Sequence, residues 1–379
     1  AISPWSLQMS RGAFEGNLAT LFSGLGILLF IKAINNKKLV LFIFSSLFLI
    51  LSIYTFNSHR VFVPLITGAL CLTYFKEIFS QKRNFLLFLV SCFLFLLPLV
   101  PYFMTSESRL RFQEVSWTND LAPIELSNSR INTDNNSVFA KIIHNRRVIW
   151  AGEFLKHYTD HFKPDFLFFT GDINERLSTR KIGEMYLIEL PFFLAGLYFL
   201  VRHRTKASAV IFAWLLLAPI PAALARETPH ALRALNILPI PQIITAIGIS
   251  QIKNKKFLYL IFAIFFVSCF LYLGDYYTKY SERSKNSWQY GYKQIVEEVK
   301  KVENQYPCVS ITEDAGRPYI YFLLYNKYPP QKYWSNRVAE RDWFGFWTVH
   351  SFDKYYFGTN PGNCLRVDYV NNEFVISGI

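Results

Sequence analysis

Eight stretches of the chain, near residues 17–34, 38–55, 61–76, 84–103, 185–201, 207–225, 231–250 and 256–273, run for about 16–20 residues with almost no charge. A helix of that length crosses roughly 30 Å of hydrocarbon, and within a bilayer only helices and closed barrels satisfy every backbone polar group. Of the 379 residues 52% are hydrophobic and only 18% charged, so the two or three soluble domains usual at this length are not expected. The expected fold class is mainly α: a polytopic membrane helix bundle of about eight transmembrane helices, with a C-terminal soluble α/β extracytoplasmic domain. The expected divisions are four helices in 1–103, a large loop in 104–184, four more helices in 185–273 and the domain in 274–379. The first block lacks the basic flank and small-residue cleavage site of a signal peptide, and Ala1 reads as the interior of a longer chain.

The formal charge of +13 would suit a nucleic-acid partner, but its placement argues against one. The connections after blocks one, three, five and seven hold Lys32, Lys37, Lys38, Lys76, Lys82, Arg83, Arg202, Arg204, Lys206, Lys253, Lys255 and Lys256, against the single acid Glu77. Nearly the whole excess thus sits on alternate short loops. This is the pattern of cytoplasmic loops in a multi-pass protein of the plasma membrane. It places the N-terminal segment, the 56–60 turn, the 104–184 loop, the 226–233 turn and the C-terminal tail outside. No nucleic acid is expected as a partner.

Loop 104–184 is too long for a plain connector. Within it, residues 136–162 carry apolar side chains at helical spacing behind a capping Ser137, with Trp150 and basic residues elsewhere on the wheel. Such a helix suits the membrane surface or the flank of the exported domain. In the tail, "SWQYGYKQIVEEVKKVENQYP" reads as helix, and "CVSIT", "YIYFLLY", "CLRVDYV" and "EFVISGI" as strands. Cys308 and Cys364 stand beside two of these strands, as a disulfide or as two thiols.

Chemistry-bearing residues gather at the outer ends. "PIPAALARETPHALRALNILPIP" sets Arg226, Glu227, His230 and Arg233 between two Pro-x-Pro breaks, Pro219/Pro221 and Pro239/Pro241. A helix starting at Pro229 would give His230 and Arg233 a shared first turn whose N–H groups attract an anion, and two Arg with a His suit a phosphate. The alternative is a polar turn closed by a local Arg–Glu pair. Arg11 and Glu15 precede block one, and His59 and Arg60 occupy the 56–60 turn, as phosphate ligands or as interfacial anchors. "HYTDHFKPDFLFFTGD" adds His157, Asp160, His161, Asp165 and Asp172, of which His157, His161 and Asp172 are taken as supporting groups; the two His have metal-like spacing but lack the Glu of a zinc-protease motif.

"SPWSLQMSRGAFEGNLA", "YTFNSHRVFVPL", "HFKPDFLFFTGD", "PIPAALARETPHALRALNILP" and "WQYGYKQIVEEV", in this order along most of the chain, resemble the bacterial GT-C membrane glycosyltransferases related to protein O-mannosyltransferases and the lipid A aminoarabinose transferase. The resemblance implies a multi-pass enzyme that moves a sugar from a polyprenyl-phosphate carrier to an acceptor protein, lipid or glycan on the outer face, within membrane lipid. Arg226, His230 and Arg233, with Arg11, His59 and Arg60, would hold the carrier phosphate, and Glu15, Glu227, His157, His161 and Asp172 would support them. The family's acidic catalytic residue lies in a first outer loop expected upstream of Ala1. No catalytic base is therefore assigned, and the fragment alone is expected to be inactive. A divalent metal assists some relatives, but no strong ligand set stands out, so no cofactor is assigned. Two other functions fit the outer charges less fully: a transporter or flippase of a lipid-linked glycan, and a non-catalytic envelope scaffold.

Overall fold

In the computed structural model, which describes residues 2–105, 108, 122–341 and 347–377, the chain divides into two compact units, Ala1–Thr278 and Lys279–Ile379. Parts of the expected 104–184 loop (106–107 and 109–121) and the end of the last strand-like run (378–379) lie outside the described residues.

The first unit is helical. It opens with α1 (Pro4–Arg11), whose Pro occupies a first-turn position where a missing N–H costs nothing. Then come α2 (Glu15–Asn36), α3 (Leu39–Thr55), α4 (His59–Thr73), a short helix at Phe75–Ser80, and α5 (Lys82–Leu96). The second half holds α6 (Arg146–Asp160), α7 (Glu189–Arg202), α8 (Lys206–Leu217), α9 (Ile240–Ser250) and α10 (Lys255–Asp275).

Each of the eight uncharged blocks carries helix, but not all at full spanning length. Four runs, Glu15–Asn36, Lys82–Phe103, Lys206–Ala223 and Lys255–Ser284, are long and apolar enough to cross a membrane. The apolar helices Leu39–Thr55, His59–Thr73 and Leu235–Ser250 are shorter. The reasons are local. Pro239 and Pro241 delay the start of α9, and α7 begins only at Glu189, whose carboxylate accepts the Tyr186 N–H at 3.0 Å. Lys82–Phe103 and Lys255–Ser284 bury only 11% of their most apolar windows. Leu86, Phe93, Phe270 and Leu271 on these helices are exposed, as lipid-facing side chains would be.

Close contacts join the helices. The Ser45 hydroxyl of α3 donates to the Gly26 carbonyl of α2 at 2.8 Å, where a Cβ on Gly26 would sit 2.8 Å from a Leu49 methyl. Phe30, Phe42 and Phe88 interlock edge to face, with centroids 5.2–6.1 Å apart. The helix expected over 136–162 is two helices. Ser137 caps Val138–Ile143 as expected, but Asn145 then accepts the Arg147 N–H and caps α6 afresh. Helical periodicity runs unbroken through the join, whereas the Asn145 side chain offers the backbone a competing bond.

The second unit is a mixed six-stranded sheet with strand order β2-β3-β4-β1-β5-β6. The strands are β1 (Val309–Ile311), β2 (Val338–Arg341), β3 (Trp347–Phe352), β4 (Tyr355–Phe357), β5 (Leu365–Val370) and β6 (Glu373–Ser377). Central β1 runs parallel to β4, with Val309 opposite Tyr355, and parallel to β5, with Val309 opposite Leu365; the other pairings are antiparallel. Helix α11 (Tyr292–Val302) buries Tyr292, Ile295, Val296 and Val299, a stripe at helical spacing. It begins later than the sequence suggested because Gly291, at φ 102°, breaks the preceding turn.

"YIYFLLY" is not a strand: it forms α12 (Tyr319–Tyr325). Its aromatic content favours a strand, but Pro318 sets the helical start, and only Phe322 is fully buried, against Tyr355 and Phe357. Strands β2, β3 and β4 have no clear signal: β2 is a mostly exposed "VAER" and β4 has three residues.

Cys308 and Cys364 form a disulfide, which settles the open alternative and is consistent with an extracytoplasmic place for this unit. It closes a loop with a sequence separation of 56. On the chain-entropy account its loss costs about 4 kcal/mol. Cys364→Ser is expected to reduce hydrogen-exchange protection of the β1 and β5 amides by that measure. Unchanged protection would mean that the sheet holds these strands without the bond.

Candidate functional site

The prolines of the 215–247 stretch end one helix and delay the next. Between α8 and α9 the chain forms a four-residue helix (Ile220–Ala223), a run of turns and one 3-10 turn (Leu235–Ile237). Broken backbone at this depth needs outside partners. The Tyr158 hydroxyl donates to the Leu216 carbonyl at 2.8 Å, and the Asn236 amide donates to the Ala218 carbonyl at 2.9 Å. The Trp214 indole N–H in turn donates to the Asn236 carbonyl at 2.7 Å.

Pro229 does not start an α-helix. After it comes a tight turn, closed by the Ala234 N–H on the His230 carbonyl at 3.1 Å. Three of the turn's leading N–H groups are taken by side chains. His161 Nε2 accepts the His230 N–H at 3.3 Å, Asp172 Oδ2 accepts the Ala231 N–H at 2.6 Å, and His230 Nδ1 accepts the Arg233 N–H at 3.3 Å. The anion this turn attracts is therefore the protein's own Asp172. The helix N-terminus expected at Pro229 does not form, and three of the N–H groups it would have offered an anion are bonded within the protein.

The 160–186 segment supplies these partners. Asp172 is buried and also accepts the Asn174 N–H at 2.8 Å, while its own N–H goes to Glu184 Oε1 at 3.1 Å. Burial pushes the Asp172 carboxyl up to about 6, against the opposing pull of the Ala231 and Asn174 amides and of Arg180 and Arg233. Burial, with Asp172 beside it, holds the Glu184 carboxyl well above the usual range. Asp160 grips the turn from another side: the Thr228 hydroxyl donates to Oδ2 at 2.8 Å, and Lys163 lies 2.7 Å from Oδ1. Trp5 of α1 donates its indole N–H to the Ala231 carbonyl at 3.0 Å.

One expected ligand, His230, and one expected supporting group, His161, carry no charge near neutral pH. Burial pushes the His161 imidazole down to about 4; its Nδ1 bonds the His157 carbonyl at 2.9 Å, leaving Nε2 as acceptor. Burial, with Arg233 and His161 nearby, pushes His230 down to about 3. The positive charge at this turn therefore comes from arginine. Arg233 is mostly buried, with Nη2 3.6 Å from Glu227, so the local Arg–Glu pair weighed as an alternative is present. Arg226 is exposed and lines a 270 Å³ pocket with Glu153 and His157, whose side chains lie 3.8 Å apart. Pro123, Leu126 and Ile149 form its apolar wall.

The structure thus gathers Arg226, Glu227, His230, Arg233, His157, His161 and Asp172 around one turn. The remaining candidates have other surroundings. His59 is fully buried between the rings of Phe56 and Phe62, and neither of its ring nitrogens has a hydrogen-bond partner among the described residues. Arg60 stacks over Tyr102 and Phe103, each at 5.2 Å. Arg11 lies over Tyr276 and Tyr277, at 5.1 and 4.9 Å. Gly12 and Ala13 separate its helix from that of Glu15, so these two do not share a helix face. Glu15 precedes Gly16, which abuts Leu232 and Leu235.

Sequence reasoning missed Glu153, Glu184, Thr228 and Trp5, whereas Asp160 stood out in the run that holds His157 and His161. Glu153 was discoverable, lying four residues before His157 on the helical wheel. The other three carry no local signal. Among the described residues no group of three His, Cys, Asp or Glu side chains is placed to hold a metal ion. Comparison with known proteins gives no match to any family pattern, curated protein or solved structure.

Proposed function

We propose that the chain is the membrane body of a GT-C-like glycosyltransferase, in which the 226–238 turn and the 122–186 segment form the outer-face site for a polyprenyl-phosphate-linked sugar. What supports this reading is the pocket in which the exposed Arg226 faces Glu153 and His157 across an apolar wall. A lipid-linked phosphate needs a cation beside apolar surface at the end of the spans, and this pocket offers both. Arg226 and Arg233 are the phosphate ligands. His161, His230 and Asp172 hold the turn that carries them. The remaining spans set the pocket at the outer boundary, and the acceptor is a protein, lipid or glycan outside the membrane.

Farnesyl phosphate serves as a short carrier probe. Purified protein in detergent is expected to bind it more tightly than farnesol, which lacks the phosphate. Arg226→Ala is expected to weaken farnesyl phosphate binding about tenfold, close to the roughly 1.4 kcal/mol of one charged contact, with Arg226→Lys in between. Arg233→Ala in the full-length protein is expected to cut sugar transfer by a similar factor at equal expression. Equal affinity for the phosphate and the alcohol would overturn the phosphate role. Transport of the intact lipid-linked glycan by reconstituted vesicles, without transfer, would favour the flippase reading.

A further inference from the structure

A second lipid-facing feature lies away from this turn. The six-residue helix Phe75–Ser80 meets the start of α5 at Gln81, and an open groove of 570 Å³ lies along the two. Phe75, Ile78, Phe79, Phe85, Leu86 and Leu89 line it together with Lys82 and Arg83. The volume falls within the roughly 300–1,000 Å³ typical of ligand pockets. Phe75 and Phe79 are stacked with centroids 6.3 Å apart, yet they are 63% and 71% exposed. Two adjacent phenylalanines so exposed are costly in water and ordinary in lipid.

The charges are as one-sided as the lining. Among the described residues no acid lines the groove, and the nearest in sequence, Glu77, is already engaged by Lys206, which also lies over the Tyr74 ring. Lys82 and Arg83 are exposed and have no ion pair among the described residues. The Asn84 side chain reaches the Lys37 carbonyl at 3.5 Å and the Gln81 side chain reaches the Ile34 carbonyl at 3.0 Å. A second basic connection, that of Lys37, therefore lies beside the start of α5.

We propose that this groove binds an anionic phospholipid of the cytoplasmic leaflet, with an acyl chain along Phe75, Phe79, Phe85, Leu86 and Leu89 and its phosphate between Lys82 and Arg83. The assignment rests on the membrane reading of the spans and their orientation, and not on the transferase reading. Each cation near an anionic lipid surface contributes about 1 kcal/mol, so two correspond to roughly a 30-fold preference for the charged lipid.

The test uses the full protein, recovered from membranes in detergent and probed by native mass spectrometry. Phosphatidylglycerol and phosphatidylcholine of matched chains are supplied in turn. Wild type is expected to retain one phosphatidylglycerol at concentrations where phosphatidylcholine is lost. Lys82→Gln/Arg83→Gln is expected to lose most of that preference, and the control Lys253→Gln/Lys256→Gln to keep it. Leu86→Ser is expected to weaken both lipids together. Because these four basic side chains are exposed, their loss should leave the fold intact. Equal retention of the two lipids by wild type would overturn the proposal, as would undiminished preference in the first double variant or equal loss in the control. Displacement of the lipid by inorganic phosphate alone would also overturn it, by assigning the cations to a free anion. A protein found in membranes yet indifferent to lipid charge would sink this groove and leave the transferase reading untouched.

Discussion

Asp172→Ala is expected to destabilise the first unit by about 3 kcal/mol and to loosen the 226–238 turn. The substitution leaves the Ala231 and Asn174 amides without their acceptor in a buried site, and each such donor costs about 1–3 kcal/mol. Loss of the buried charge offsets part of this, because the ionised carboxylate is itself held there at a cost. Thermal unfolding in detergent measures the stability, and limited proteolysis near residue 227 reads the turn. Wild-type resistance to protease would show that Asp160, His161 and Trp5 hold the turn without Asp172. Asp172→Asn keeps one acceptor oxygen and should cost less. It also isolates a pH effect. Aspartate in an unfolded chain titrates near 4, whereas the folded Asp172 titrates near 6. Between these values the folded protein keeps a proton that the unfolded chain has lost. This carboxyl's contribution to stability is thus full below pH 4 and is lost as pH rises through 6. The Asn variant should lack that part of the pH dependence.

Gly248→Ala is expected to cost about 3 kcal/mol or more, although it adds one methyl group. A Cβ there would collide with the Phe192 carbonyl oxygen and lie 2.8 Å from its carbon and 2.9 Å from the Gly196 nitrogen. The obstacle is backbone on both sides, so no side chain can turn aside, and α7 and α9 must separate. Gly196→Ala meets the Ile244 carbonyl across the same contact and should cost a similar amount. The double variant is expected to lose less than the sum of the two, since one separation of the helices admits both methyls. Unfolding free energies from a denaturant titration in mixed micelles give the comparison. Strict additivity would mean that the two glycines do not share one contact.

How much of the site was legible follows from what each residue needs in order to be seen. Arg226, Glu227, His230 and Arg233 stand out because charges are rare among apolar residues, and the prolines beside them announce a broken backbone. Their roles are less visible. His230 and Arg233 looked like a cationic pair at a helix end, yet His230 is buried and neutral and Asp172 takes the Ala231 N–H of the turn. His59 read as a phosphate ligand or an interfacial anchor. Its surroundings are in fact the rings of Phe56, in the turn before its helix, and Phe62, three residues on in the helix. In the sheet, "CVSIT" was legible from its β-branched content, whereas "YIYFLLY" was misleading because Pro318 and the single buried Phe322 outweighed strand propensity.

The sequence by itself determined that this chain has helices apolar enough to span a membrane, joined by alternately basic loops, and a tail with strands of its own. Those properties are local: hydrophobic length, charge placement and turn residues act within windows of about twenty residues. Only the tertiary structure decided which polar groups meet. Asp172 bonds Ala231 across a separation of 59 residues, Asp160 bonds Thr228 across 68, and Trp5 bonds Ala231 across 226. No pattern in a single chain encodes such pairs. They form because packing the helices removes these groups from water, where each buried donor and acceptor must find the partner that the fold places beside it.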